Sequence, residues 1–487
     1  MSLTPSLPAR LIFHPKWAGK SSMKELLLMS LPLFISGLAA VVNLFFDRYF
    51  LGSYDLKYHM NASLSAGVLW WSTQMFFNGV ASYVATFVAQ YTGAKRNSRV
   101  GDIIWQGIYL NVIGAISVFL VFPAVSFIVR EFQFDPLYGD LSLKYIWILN
   151  FGVFFILFNT EMIGLFSTLG KNSMVILVSI LVTISNIGLN KWFIFNPPDL
   201  LPFIEEGIVG AAWGTTLSFV IGTIAFIALL VETGIAKEYN IGWYKRFEPA
   251  LFLRLIKYGA PSGLAHFVEV CTFSLFILVL GSIDPIKLGA ANIAFTVNNL
   301  VFVPLMSLGQ AVTILMGIYI GAKRIRHSMR VPFHAIVLGS TTVTFVALTY
   351  ILTPELYIQL FRNTSEGSLQ DPVVFGQMAE YVRLYLIFMA LYCVGDLFQI
   401  VYSGALRGAG DTAFCLITIA VSSIIFMAVP AVGTIVFKLP DWVMFASIAI
   451  YVYVLSFIFL ARYRQGTWIH LSVIEPEVIL LAKEDTI

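Results

Sequence analysis

The sequence predicts an all-α polytopic membrane protein, with twelve transmembrane helices arranged as two six-helix, pseudo-symmetric lobes. Three observations predict it: too little charge for a soluble surface, apolar residues in long blocks, and basic residues gathered on alternate connections. The chain of 487 residues is 58% hydrophobic and 12% charged, with a mean hydropathy of +0.84. Soluble domains are about 45–50% apolar and about 25% charged. This composition excludes an ordinary soluble enzyme, a disordered chain and a nucleic-acid binder. The net charge of +3 by itself points to no anionic partner.

The apolar blocks fall at 26–50, 65–91, 102–129, 144–167, 173–195, 207–231, 252–281, 288–320, 331–352, 379–406, 412–437 and 441–461. Each reaches the roughly 20 residues that carry a helix across a bilayer. None alternates over about 10 residues as a membrane strand does. The tail before the first block, residues 1–25, carries Arg10, Lys16, Lys20 and Lys24. It lacks an apolar core and a small-residue cleavage site, so it is not a signal peptide. Span 1 has Pro32 near its start and Asp47 in its later part, and span 2 closes on Gln90-Tyr91-Thr92-Gly93-Ala94-Lys95-Arg96. Spans 3 and 4 follow, the fourth carrying Glu161. Span 5 contains Asn186 and Asn190, and span 6 has Thr215 in its opening half. A basic linker at 232–250 then divides the chain into lobes at 26–231 and 251–462, with a tail at 463–487. Span 7 holds Pro261 and Glu269, and span 8 closes on Ile318-Tyr319-Ile320-Gly321-Ala322-Lys323-Arg324. Spans 9, 11 and 12 are largely apolar, whereas span 10 carries Tyr392, Asp396 and Gln399.

Placing the N-terminus in the cytoplasm puts 21 of the 30 Lys and Arg residues on inner segments, with both termini inside. That agrees with the positive-inside bias of membrane insertion. The two halves also repeat. The motif ending span 2 recurs at the end of span 8 with an offset of 228, and Pro32 and Pro261 are 229 apart. Six helices separate the copies, so both run in the same direction. Such parallel repeats are a transporter architecture in which substrate binds near the midplane and the lobes rock around it. Channels also contain repeats.

Asp47, Glu161, Glu269 and Asp396 lie inside spans. A charge at mid-bilayer costs about 2.5–3.5 kcal/mol on insertion scales, so such groups usually face an aqueous cavity or a partner. No Lys or Arg lies deep enough in the spans to neutralise all four. A carboxylate left unpaired there takes up a proton or binds a cation. Tyr392, Asp396 and Gln399 share one helix face, a plausible site for a hard cation or an organic cation. A helix–helix hydrogen bond is the alternative. Glu269 follows the Pro261 kink and needs a partner from another helix. Asp47, with Asn43 one turn before it, could meet Asn186, Asn190 and Thr215 at similar depth; interhelical packing bonds are the competing reading. Glu161 is either functional or a helix anchor. The pairs Gly210/Gly214, Gly259/Gly263 and Gly317/Gly321 read as close helix contacts. The three cysteines, Cys271, Cys393 and Cys415, are odd in number and sit in spans, which argues against a disulfide framework or metal cluster. No nucleotide-binding or HExxH motif is present. The reading is therefore not an enzyme and no cofactor, with any energy coming from an ion gradient.

The segment Ser403-Gly404-Ala405-Leu406-Arg407-Gly408-Ala409-Gly410-Asp411-Thr412 resembles a signature of the multidrug and toxic compound extrusion (MATE) family. Val88-Ala89-Gln90-Tyr91-Thr92-Gly93-Ala94, Ser185–Asn190 and Gly207–Thr215 resemble its second, fifth and sixth helices. The likeness runs from about 26 to 462. Within the family, Gly259–Val270 is similar to helix 7 of the NorM branch. The resemblance implies a V-shaped pair of lobes and alternating access. It implies export of cationic or amphipathic small molecules from the cell against inward Na+ or H+. It assigns the cation-coupling residues to Glu269, Asp396 and Tyr392 in the C-lobe, with Na+ possible at Glu269 and Asp396, and to Asp47, Asn186, Asn190 and Thr215 in the N-lobe. It places the protein in the plasma (inner) membrane, surrounded by lipid and acting as a monomer. A lipid-linked oligosaccharide flippase of the same superfamily is the alternative; such proteins tend to line the cavity with Arg and Lys. Two positions depart from the pattern: Arg48 follows Asp47, and His266 lies one turn before Glu269.

Overall fold

A computed structural model describes residues 14–132, 135–200, 202–362, 372–438 and 442–476. The expected spans all fall on helices. The first six are α1 (Met23–Tyr54), α2 (Asn61–Gly93), α3 (Asn97–Phe132), α4 (Pro136–Thr168), α5 (Asn172–Phe195) and α6 (Ile208–Glu232). After the short α7 (Ile235–Glu238) come α8 (Pro249–Ile283), α9 (Pro285–Gly321) and α10 (Ile325–Leu352). The short α11 (Pro354–Arg362) precedes α12 (Pro372–Ala409). The eleventh span is α13 (Thr412–Ser423), a wider π-turn at Ile424–Ala428, and α14 (Val429–Phe437), and α15 (Trp442–Gln465) is the last. Among the described residues there is no strand.

Among the described residues, ten helices are long and apolar enough to cross a bilayer. Helix α2 falls outside that set because Ser72, Thr73, Gln74, Asn78 and Ser82 interrupt it. It is instead wrapped by α3, α4, α8 and α9, so its polar groups meet protein rather than lipid. Several helices begin earlier than their apolar blocks do. Asp135 and Asp284 cap α4 and α9, accepting from the N–H groups of Leu137 (3.0 Å) and Ile286 (2.8 Å). A proline follows each cap at the first helical position, where its missing N–H costs nothing. The polar first turns then extend the helix beyond the apolar block.

In the first half, α1 packs on α5, α2 on α3 and α4, and α6 on α4 and α5. In the second, α9 and α12 form the centre, flanked by α10 and α15, while α8 packs on α13. The halves meet through α1 and α2 against α8 and α9. Glycines permit this meeting. A Cβ on Gly79 of α2 would stand 2.6 Å from the Gly263 Cα of α8. Nearer the end carrying the basic connections, a Cβ on Gly93 or Gly321 would stand 2.1 Å from the carbonyl oxygen of Ile318 or Gln90 respectively. Within the first half, a Cβ on Gly210 would meet the Phe193 carbonyl at 2.3 Å. Of the glycine pairs read from the sequence, Gly210, Gly263 and Gly321 lie against backbone, whereas Gly214, Gly259 and Gly317 lie closest to the side chains of Asn190, Val80 and Ala89.

The repeated motif has repeated geometry. Lys95 and Lys323 both adopt left-handed backbone, φ 60° and 55°. The next residues, Arg96 and Arg324, donate N–H to the carbonyls of Tyr91 (2.9 Å) and Tyr319 (2.8 Å). Each tyrosine hydroxyl then holds a glutamate from beyond the helices of its half. Tyr319 donates to Glu25 (2.7 Å), and Tyr91 to Glu475 (2.6 Å).

Glu475 belongs to a strap, Ser472–Glu475, that crosses the basic end. Gln90 of α2 donates to the Gly408 carbonyl of α12 (3.0 Å) and accepts from the Val473 N–H (2.9 Å). Arg254 of α8 donates to the carbonyls of Val473 and Ile474, the latter at 2.8 Å. Arg99 of α3 reaches the Glu475 carboxylate at 3.2 Å. The strap thus ties helices of both halves. Burial pushes the Glu475 carboxyl up, but the Tyr91 hydroxyl and Arg99 more than offset this and hold it below its usual value. A carboxyl with a depressed folded pKa stabilises its contacts above its unfolded pKa, near 4.3, and loses that contribution as pH falls through the lower folded value. Glu475→Gln should therefore raise the hydrogen-exchange rate of the Val473 amide several-fold at neutral pH. In the native protein the same rise should appear only on acidification below that range.

Candidate functional site

A cavity of about 460 Å³ lies between the halves. The first half contributes Asn43 of α1, Asn78 and Ser82 of α2, and Thr160 of α4. The second contributes His266 of α8, Gln310 of α9 and Arg407 of α12. The glycine crossings of α2 with α8 and α9 bring the backbones together beside it, towards the basic end.

On the second-half side, the structure brings the predicted C-lobe residues together. The Pro261 turn of α8 and the middle of α12 face one another. Gln399 donates to Glu269 at 3.3 Å, and His266 Nδ1 lies 3.6 Å from the other Glu269 oxygen. Asp396 is buried at 5% exposure, beside Tyr392 and within the electrostatic reach of Glu269. Glu269 is only partly buried, its side chain 27% exposed, so the two carboxyl groups differ in burial. Among the described residues no cluster of three or more His, Cys, Asp or Glu that could hold a metal ion occurs.

In the first half, Asn190 of α5 donates to Asp47 of α1, and Asn186 donates to Thr215 of α6 at 3.2 Å. Gly214 leaves room for Asn190, since a Cβ there would stand 2.0 Å from the Asn190 amide oxygen. The amide oxygens of Asn43, Asn186 and Asn190 are buried and accept no bond from the protein. With the Asp47 carboxylate, this is an oxygen-rich set of the kind that hard cations favour. Arg48 is exposed, so it points away from the set. Glu161 stands apart from both groups. It is buried at 1% exposure between α3 and α4, accepts from Asn111 at 2.7 Å, and fits against Gly107, whose Cβ would touch it at 2.4 Å. It does not line the cavity.

The sequence reading placed Arg407 with the inner connections. The structure instead keeps it inside α12, two residues before the helix ends, with its guanidinium in the cavity wall. Its carbonyl accepts from Tyr83 of α2 at 2.9 Å, and Nη1 lies 2.9 Å from His266 Nε2. The helical run through Gly404 and Gly408, which lie against the backbone of α9, was the signal that the helix continues past Arg407.

The MatE family profile matches residues 32–192 and again residues 261–432, once in each half. The chain belongs to the MatE family. The two matches begin at Pro32 and Pro261, the same prolines that mark the repeat. Among relatives, this MATE chain is 24% identical over 403 residues to a probable multidrug resistance protein NorM of Bacillus cereus, spanning 81% of this chain and 84% of that one. Among solved structures it resembles an outward-facing MATE family transporter of the MOP superfamily, with TM-score 0.80 and 20% identity, covering 92% of this chain and 97% of that one. A eukaryotic MATE transporter matches at TM-score 0.77 and 15% identity, covering 91% and 96%. The all-helical, multi-pass MATE fold is thereby established.

Proposed function

We propose that this MATE protein is a secondary active efflux transporter. It moves amphipathic small molecules out of the cell in exchange for inward Na+ or H+. The two halves rock about the cavity, with Glu269, Asp396 and Tyr392 in one and Asp47, Asn186, Asn190 and Thr215 in the other binding the coupling ion. The observation that carries this reading is a cavity between two repeated halves, flanked on each side by a carboxylate-bearing polar cluster. The multidrug resistance relative supports efflux. The excess of basic residues at one end supports a plasma-membrane orientation with both termini cytoplasmic. A lipid-linked pyrophosphate needs several cations around its head, and among the described residues the cavity wall offers Arg407 and His266, which disfavours a flippase.

An ion can drive such a cycle only if it binds one arrangement more tightly than the other. Purified protein in liposomes should therefore expel a fluorescent amphiphile at least about fivefold faster under an imposed sodium or proton gradient. Efflux indifferent to both gradients overturns the reading.

A further inference from the structure

The four acids suggested a cationic substrate, yet none of them lines the central cavity. The charged side chain in the wall is Arg407, and it sits at the seam of the halves, fixed there by the Tyr83 bond to its carbonyl. Among the described residues, no carboxylate lies within ion-pair distance of its guanidinium. Asp411, the acid nearest in sequence, is taken by Arg462 at 2.8 Å. The side-chain partner of Arg407 is the His266 ring. A guanidinium has no acceptor, so the ring nitrogen facing it accepts, and the other, towards Glu269, carries the hydrogen. Glu269 is thereby engaged by His266 and Gln399 rather than by Arg407. The Arg407 Nε–H is buried with no partner at all. Leaving a buried donor unsatisfied is costly. Arg407 lines the cavity, and a guanidinium in such a wall matches a carboxylate or sulfonate, which can take two parallel bonds.

The rest of the wall fits the same ligand. Gln310 is exposed and lines the cavity, and Asn78 and Thr160 add further hydrogen-bonding groups. Ile156, Phe219, Phe302 and Met306 supply an apolar bed. A volume of about 460 Å³ falls in the range of roughly 300–1,000 Å³ that holds one small organic molecule.

We infer that the central cavity binds amphipathic organic anions, with a carboxylate or sulfonate head on Arg407 and an aromatic or aliphatic body against the apolar bed. The inference rests on the efflux reading for the direction of movement and on the cavity alone for the charge of the cargo. The coupling cation and the anionic cargo then occupy different groups, the carboxylates and the guanidinium, and neither displaces the other from its ligands.

The test uses two probes of one body and opposite permanent charge, naphthalenesulfonate and naphthylmethyl-trimethylammonium, both radiolabelled. Binding to the purified full chain is measured first, then efflux from liposomes under sodium and proton gradients. The sulfonate should bind at least tenfold more tightly than the ammonium. Arg407→Gln should weaken sulfonate binding at least tenfold, and Arg407→Lys should keep it within about threefold of wild type. Tighter binding of the ammonium, or sulfonate binding unchanged in Arg407→Gln, overturns the inference. The comparison of head groups on the wild-type protein stands even where a variant folds poorly. The two proposals fail separately. Gradient-driven efflux of the ammonium without sulfonate binding removes the anion site and leaves the antiporter. Sulfonate bound through Arg407 but moved by neither gradient removes the antiporter and leaves the site.

Discussion

Asp396→Asn and Glu269→Gln are each expected to lower gradient-driven efflux at least tenfold while leaving the protein as stable as the parent, or more so. The sign of the stability change separates a lost coupling site from a lost fold. Asp396 is buried, and a charged Asp in mid-membrane costs about 2.5–3.5 kcal/mol. An amide of the same shape removes that cost and keeps Tyr392 as the partner of residue 396 and Gln399 as that of residue 269. Removing a helix-packing group would instead lower the melting temperature. Efflux in liposomes and thermal unfolding in detergent, read on the same preparations, check the pair. Both variants transporting at wild-type rate under either gradient would exclude these carboxylates from the coupling.

Gly321→Ala is expected to open the basic end. In an exposed helix, Ala in place of Gly gains roughly 0.8–1 kcal/mol. Here the added Cβ meets the Gln90 carbonyl oxygen at 2.1 Å, and neither backbone has a rotamer with which to retreat. Overpacking of this kind costs about 1–3 kcal/mol, which corresponds to a population shift of roughly 5–150-fold towards arrangements in which α2 and α9 separate. A cysteine placed at Thr313, in the cavity wall near the basic end, should then react faster with a membrane-impermeant maleimide added on that side, the native cysteines having been removed. Gly67→Ala is the control, because its Cβ would meet nothing within 4 Å. Equal labelling in the two variants would show that the crossing is not what closes this end.

The spans were legible because a bilayer leaves a chain few choices. Backbone groups must be satisfied within a helix, so length and apolarity fix the elements. The two glycine-bearing motifs made the repeat readable, since close backbone approach tolerates only one residue type at each crossing. Asp47 with Asn190 was readable because polar groups at matching depth have few other partners, whereas for Glu269 the sequence required only some partner from another helix, which the structure supplies as Gln399. Three features were not legible. Capped polar turns, such as Asp135–Pro136, lengthen helices without lengthening the apolar block. Glu161 looked like the other acids, but its neighbours on α3 are set by tertiary packing. Arg407 looked like a loop cation because it directly follows the apolar block, although the Gly404 and Gly408 run carries α12 past it.

The strap at Ser472–Glu475 also bears on the order in which the protein is made. It is translated after α15, yet it joins α2 and α3 of the first half to α8 of the second. Until the ribosome has added it, both sets of helices can sit in the membrane and pack, but Gln90, Arg254 and Arg99 lack their shared partner. A nascent chain therefore carries Asp47, Glu269 and Asp396 before it carries the clasp across its basic end. Residues 472–475 thus fasten two already inserted bundles to each other at their basic end.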